Sequence, residues 1–174
     1  MSRALWGLAL LTLLGCDGEN GTDDTSDTSG GDGCPTGFHE AVSPGLLITY
    51  FRLNETTQAA AFDASGEYDG RPSACINDAG TAVDYIFLVG GDPYGRIVME
   101  ASLGGQSYDL NGTAGQISIV LTGADPDVSF DNGDWTTGTW YVTSVGNQFD
   151  TDLDGSAVAD GQTLAITFSL EGTR

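Results

Sequence analysis

Residues 163–172 read TLAITFSLEG, and this stretch decides the fold class. Leu164, Ile166, Phe168 and Leu170 alternate with small or polar residues. Successive side chains of a β-strand point to opposite faces of the sheet, so this period of two predicts a strand with one buried face and one solvated face.

The same alternation recurs upstream, in GRIVMEASL (residues 95–103) and GQISIVLTG (residues 115–123). These segments predict buried faces formed by Ile97, Met99, Ala101 and Leu103, and by Ile117, Ile119 and Leu121. Turn dipeptides separate the strands, because their residues tolerate positive φ. They are Gly90-Gly91, Asn111-Gly112, Asn132-Gly133 and Asp154-Gly155. Strands at this spacing, without an amphipathic helix between them, predict a single all-β domain over residues 34–174, an antiparallel β-sandwich or jelly-roll-like fold.

The charge of the chain excludes one class of partner. It contains 25 acidic residues, five arginines and no lysine, and its net charge is −20. Nucleic-acid binding requires basic patches, so nucleic acid is not an expected partner. The chain also lacks a nucleophile elbow, a phosphate-binding loop, a dinucleotide-binding glycine pattern and a zinc-type cysteine or histidine pair. We therefore predict a protein that is not an enzyme.

The first sixteen residues, MSRALWGLALLTLLGC, have the pattern of an export signal. Arg3 precedes an uncharged run of eleven residues, which is too short to cross a bilayer as a helix. Leu13-Leu14-Gly15-Cys16 resembles the lipobox of bacterial lipoproteins. This resemblance covers residues 1–16 alone and implies a signal peptide over residues 1–15, with diacylglyceryl attached to the thiol of Cys16. An ordinary secretory signal with an unrelated cysteine is the alternative.

A polar run separates this cysteine from the rest of the chain. Residues 17–33 contain only Gly, Ser, Thr, Asn, Asp and Glu. Such a segment has no apolar surface to offset the entropy lost on ordering, so residues 16–33 are predicted to be a lipidated cysteine and a disordered acidic linker. The negative charge of this linker is expected to hold the domain away from an anionic membrane surface.

Cys34 and Cys75 are the two cysteines left after Cys16 is acylated. In an exported protein such a pair is predicted to form a disulfide, and two free thiols are the alternative. His39, the single histidine, lacks the partners of a zinc site and is interpreted as a surface residue.

The stretch FDTDLDGSAVADG (residues 149–161) carries the strongest metal-binding pattern. Asp150, Asp152 and Asp154, followed by a glycine, resemble the first half of a calcium-binding loop, and Asp160 is a candidate further ligand. A calcium site formed by these four carboxylates is one interpretation. An acidic hairpin loop whose side chains hydrogen-bond their own backbone is the other.

A second acidic cluster lies in GADPDVSFDNGDW (residues 123–135). It is followed by aromatic residues that suit either a platform for a sugar or peptide, or packing in the core. The acidic residues are Asp125, Asp127, Asp131 and Asp134, and the aromatic ones are Trp135, Trp140 and Tyr141.

Together these observations predict a lipid-anchored protein of the cell envelope that displays a β-sandwich as a binding or structural module, with calcium support if residues 149–161 form the calcium site and none if they form the hairpin loop. The outer membrane or the cell surface is favoured over the inner membrane. The expected partners are the membrane, reached through the lipid, and an envelope protein or a carbohydrate. A carbohydrate-active enzyme with two carboxylates about 5 to 10 Å apart across a cleft is the alternative function.

Overall fold

The computed structural model describes residues 33–57, 62–63, 67–68, 70–112, 115–124 and 126–174. The lipobox, Cys16 and the linker up to residue 32 lie outside the described residues. Within the described residues all regular structure is β-strand. The strands are β1 Phe38–Glu40, β2 Val42–Leu53, β3 Thr56–Thr57, β4 Phe62–Asp63, β5 Glu67–Tyr68, β6 Arg71–Pro72, β7 Ala74–Asn77, β8 Ala82–Val89, β9 Asp92–Glu100, β10 Gln106–Asp109, β11 Gln116–Leu121, β12 Val128–Phe130, β13 Trp135–Ser144, β14 Gln148–Ala159 and β15 Gln162–Thr173.

Two antiparallel sheets pack face to face, which confirms the predicted β-sandwich. The first sheet has the order β1-β7-β8-β9-β11-β12, and β4 pairs with the end of β8. The second sheet has the order β10-β13-β14-β15-β2-β3. β5 and β6 form a separate short hairpin. In the second sheet β2 and β15 are neighbours although more than a hundred residues separate them along the chain, so long-range pairing sets the strand order.

The inward faces carry the alternating apolar residues that the sequence predicts. Leu164, Ile166, Phe168 and Leu170 of β15 are all at most 1% exposed. They meet the inward side chains of the first sheet, among them Val83, Phe87, Ile97, Met99, Ile119 and Leu121. Each such side chain stabilises the fold by roughly 1.5 to 3 kcal/mol relative to its exposed state.

Leu103 was expected on a buried face, and this prediction is wrong. β9 ends at Glu100, and the chain then turns toward β10, which leaves Leu103 58% exposed. Burial on an alternating pattern requires the strand to continue, and here it stops three residues earlier.

Three of the four predicted turn dipeptides lie in turns or bends between strands, and the fourth does not. Asp154-Gly155 lies in the middle of β14, so its prediction as a turn is wrong. A Cβ at Gly155 would overlap the side chain of Leu110 and crowd the ring of Trp135. Close packing, and not a turn, is therefore the reason for a glycine at this position. The turn between β14 and β15 is formed instead by Asp160 and Gly161, both with positive φ, as two-residue hairpins require.

Tyr85 links the two sheets by a hydrogen bond through the core. Its ring is buried on β8, and its hydroxyl donates to the backbone carbonyl of Glu171 on β15. Gly172 makes room for this contact, since a Cβ there would lie 2.6 Å from the phenol oxygen. Burial, and to a smaller extent the negative charge of Glu171, raise the pKa of the Tyr85 phenol well above its usual range.

This raised pKa predicts a loss of stability at alkaline pH. The unfolded phenol ionises near pH 10, whereas the folded one resists ionisation, so the contribution of Tyr85 is complete below about pH 10 and falls as the pH rises further. Urea unfolding at pH 8 and pH 11 should show this fall in the wild-type protein. In Tyr85→Phe we expect a smaller alkaline fall, together with a loss of about 1 kcal/mol at pH 8 from the unpaired carbonyl. Tyr141→Phe, at an exposed phenol, is the control, and an alkaline fall that Tyr85→Phe leaves unchanged would contradict the assignment.

Candidate functional site on the outer face of the second sheet

Asp150, Asp152 and Asp154 lie in a row on the outer face of the second sheet. Their neighbours Phe149 and Leu153 on β14 point into the core. The spacing that resembles a calcium loop is therefore the period of two of a half-buried strand. The prediction of a loop at this position, either calcium-binding or a hairpin, is corrected to a strand.

Hydroxyl groups of the adjacent strand β15 bind two of these carboxylates. Ser169 donates to Asp152 over 2.5 Å, and Thr167 donates to Asp154 over 3.4 Å. These pairs sit in register across β14 and β15. Cross-strand hydroxyl and carboxylate pairs of this kind stabilise a solvated sheet face.

The four predicted calcium ligands do not form one coordination shell. Asp160 lies in the turn after β14, ten residues from Asp150, which corresponds to roughly 33 Å along an extended strand. Calcium holds its oxygen ligands at about 2.3 to 2.6 Å, so the residues as a set do not fit one ion. Among the described residues no group of three or more histidine, cysteine, aspartate or glutamate side chains could hold a metal ion. Calcium dependence itself stays a prediction.

A concavity of about 350 Å³ lies where β14, β15 and β2 meet. Two acidic residues, Asp150 and Glu171, are directly opposite each other on β14 and β15 and line it together. Ser169 and apolar side chains complete the lining, namely Leu46, Leu47 and Leu170. The two carboxylates stand side by side on one sheet face, where opposite Cβ atoms are about 4.5 to 5.5 Å apart and like charges repel. The two adjacent carboxylates make this part of the concavity acidic.

β2, which borders this concavity, has a free edge. It pairs with β15 along one side, and on the other side β3 covers only Arg52 and Leu53. In the part of the chain that the structure describes, no strand pairs with residues 45–51 on that side. Leu47 is 62% exposed and Tyr50 is 43% exposed. Unpaired backbone groups beside exposed apolar side chains are the usual signature of a strand that can accept another strand.

The second predicted acidic cluster is divided between different places. Asp131 and Asp134 form a turn in which the carboxylate of Asp134 accepts from the backbone N–H of Asp131. Asp127 lies in the preceding loop, and Asp125 lies outside the described residues. The three described members of this cluster do not form a group that could hold a metal ion.

The aromatic platform predicted beside this cluster is largely a core feature. Trp135 and Trp140 are 4% and 1% exposed, so both tryptophans pack between the sheets. The indole N–H of Trp140 donates to the hydroxyl of Thr151. Tyr141 alone of the three is exposed, on the outer face of β13 opposite Asp152.

The structure contains the predicted disulfide between Cys34 and Cys75. Both residues are fully buried, and Cys75 lies on β7 of the first sheet. The bond ties Cys34, which directly follows the polar segment 17–33, to β7 of the first sheet. His39 is exposed at the same end and pairs with Asp78, as expected for a surface residue.

The four described arginines all contact acceptors within this chain. Asp84, which is 1% exposed on β8, binds both Arg71 and Arg96, and Arg96 donates to both of its carboxylate oxygens over 2.8 and 2.6 Å. Arg52 binds Glu55, and Arg174 donates to the backbone carbonyl of Asp78. Sequence reasoning missed the Asp84 cluster. Gly90-Gly91 indicates the hairpin of β8 and β9, but the burial of Asp84 and the approach of Arg71 from β6 depend on contacts outside that hairpin.

Comparisons of the chain with protein-family models, curated proteins and solved structures found no match. Within the residues described here, no helix has the length and apolar character needed to span a bilayer.

Proposed function

We propose that this protein is a lipid-anchored component of the cell envelope that displays its β-sandwich as a binding module. Acylated Cys16 holds the chain at the membrane, and residues 17–33 act as the tether. The three cysteines carry this proposal. Two form a buried disulfide in the domain, a feature typical of oxidising compartments, and the third completes the lipobox.

The lengths of the segments are consistent with this role. A flexible tether of seventeen residues has a mean span of about 20 to 25 Å and a maximum of about 60 Å. It would leave the outer face of the second sheet accessible above a membrane surface. Two or three acyl chains are sufficient for stable attachment, since each buried CH₂ contributes about 0.8 kcal/mol.

Binding is the proposed role because the described residues on the outer face of the second sheet offer recognition groups. The concavity beside β2 combines apolar side chains with the carboxylates of Asp150 and Glu171. Such a mixture of apolar surface and a few charged groups is typical of a recognition site.

Replacing the lipobox cysteine tests the anchor. In the bacterial host, the wild-type protein should partition with membranes and require detergent for extraction. Cys16→Ala should lose acyl labelling and the lipoprotein-type processing that follows it. A double variant, Cys34→Ala with Cys75→Ala, should be less stable but keep the acyl label, because neither residue belongs to the lipobox. Equal fatty-acid labelling of wild type and Cys16→Ala would contradict the proposal.

A further inference from the structure

We propose that the free edge of β2 accepts an extended, basic segment of a partner protein as an additional strand of the second sheet. The inference rests on the proposed binding role and names its site and partner, but it does not depend on the lipid anchor. Three features of the structure carry it: the unpaired edge, the apolar side chains along it, and the carboxylates next to it.

The edge is long enough for a short peptide. Residues 45–51 have no partner strand on one side within the described chain, and seven residues extend over roughly 23 Å. Adding a strand there would satisfy backbone donors and acceptors, which is the source of affinity in strand addition. The other edge strands among the described residues are shorter: β1, β3, β10 and β12 have two to four residues each.

The limits of the edge also favour a short segment over a long ladder. Pro44 has no N–H to donate, and Ser43 before it has a φ of 52°. A bulge displaces Thr49 from the register between β2 and β15. Proline and bulges are the usual devices that prevent extended pairing between edges. Pro44 precedes the unpaired stretch and the bulge at Thr49 lies within it, so residues 45–48 form its regular part and a short peptide fits better than a long strand.

The charge of the site selects a basic partner. A strand added to β2 would place alternate side chains on the outer face, where a long basic side chain could reach across Gly45 to the carboxylate of Glu171, which lies against that glycine. Asp150 lies one strand further away, on β14. Leu47 and Tyr50 supply apolar contacts for the stems of long basic side chains. The one charged residue of β2 is Arg52, and its guanidinium is paired with Glu55.

A second copy of this chain fits the site less well. The chain has no lysine, and the four described arginines contact acceptors in their own chain. A second copy would therefore bring no available cation to Asp150 and Glu171, and the net charge of −20 on each molecule opposes association. The observations favour a different protein that supplies lysine or arginine.

Peptide binding tests this inference. The probe is a capped heptapeptide of alternating lysine and valine, and its matched control has glutamate in place of lysine. Both are added to the chain from Asp17 onward, which lacks the leader and the lipidated cysteine. We expect the lysine peptide to bind at least tenfold more tightly than the glutamate peptide. Amide hydrogen exchange should slow in residues 45–51, and added salt should weaken the binding.

Matched variants locate the site. Leu47→Lys should weaken binding of the lysine peptide at least tenfold, whereas Leu103→Lys, at a leucine of similar exposure away from β2, should not change it. Glu171→Gln should also weaken binding. The inference is overturned if the lysine peptide fails to bind, if both peptides bind equally, or if protection from exchange appears outside β2. Protection of β2 that rises with protein concentration alone would assign the edge to a second copy instead. None of these results depends on acylation of Cys16, so failure here and failure of the anchor are distinguishable.

Discussion

Breaking the disulfide between Cys34 and Cys75 should lower the free energy of unfolding by about 4 kcal/mol. The bond closes a loop with a sequence separation of 41 residues, and in the chain-entropy model a loop of this size restricts the unfolded chain by that amount. The loss is a large part of the stability of an ordinary domain. Urea unfolding with and without a reducing agent measures it directly.

The double variant Cys34→Ala with Cys75→Ala separates the bond from other effects of reduction. It should unfold at a lower urea concentration than the oxidised wild type, and the reducing agent should not shift its midpoint further. Both cysteines are fully buried, so the variant also loses some packing. An unchanged midpoint for the wild-type protein after complete reduction would show that the bond does not stabilise the domain.

Asp84→Ala is the second substitution with a large expected effect, a loss of about 3 kcal/mol. Asp84 is buried between two guanidinium groups, at 2.5 Å from Arg71 and 2.6 Å from Arg96. Removing one partner from a buried ionic cluster typically costs about 3 to 5 kcal/mol, because the remaining charges lose their compensation. We expect the lower end of that range, since Arg96 is 44% exposed and its charge remains hydrated in part.

Two comparisons make this prediction specific. Asp127→Ala removes an exposed carboxylate from a loop and should change the unfolding free energy by less than about 0.5 kcal/mol. Asp84→Asn keeps the side-chain shape while removing its charge, so it should be destabilising as well. Equal midpoints for Asp84→Ala and Asp127→Ala would mean that the buried cluster contributes nothing to stability.

The fold class could be predicted from the sequence because the signal is local. In β15 every second residue is apolar, and that alternation alone specifies a half-buried strand. β14 carries the same alternation, with Phe149 and Leu153 on the inner face and aspartates on the outer face. Aspartate and glycine are also the common residues of turns, so this segment was predicted to be a loop. The packing of Leu110 and Trp135 against Gly155 favours the strand over the loop, and neither of these residues is close to Gly155 in the sequence.

The candidate binding site could not be predicted for the same reason. The unpaired edge of β2 depends on the pairing of β2 with β15 across the length of the domain. Glu171 and Asp150 come together through the register of β15 with β14. Asp150 and Glu171 are too far apart in the sequence for a short window to show that they are neighbours. Long-range register, set by burial of the apolar faces, creates both the edge and the charged concavity.

Mass spectrometry of the protein isolated from the cells that naturally produce it tests the central claim most directly. We expect a mature chain that begins at Cys16 and carries diacylglyceryl on its thiol, with Cys34 and Cys75 joined in a disulfide. A chain in the soluble cytoplasmic fraction that still begins at Met1, with Cys16 unmodified, would contradict the account.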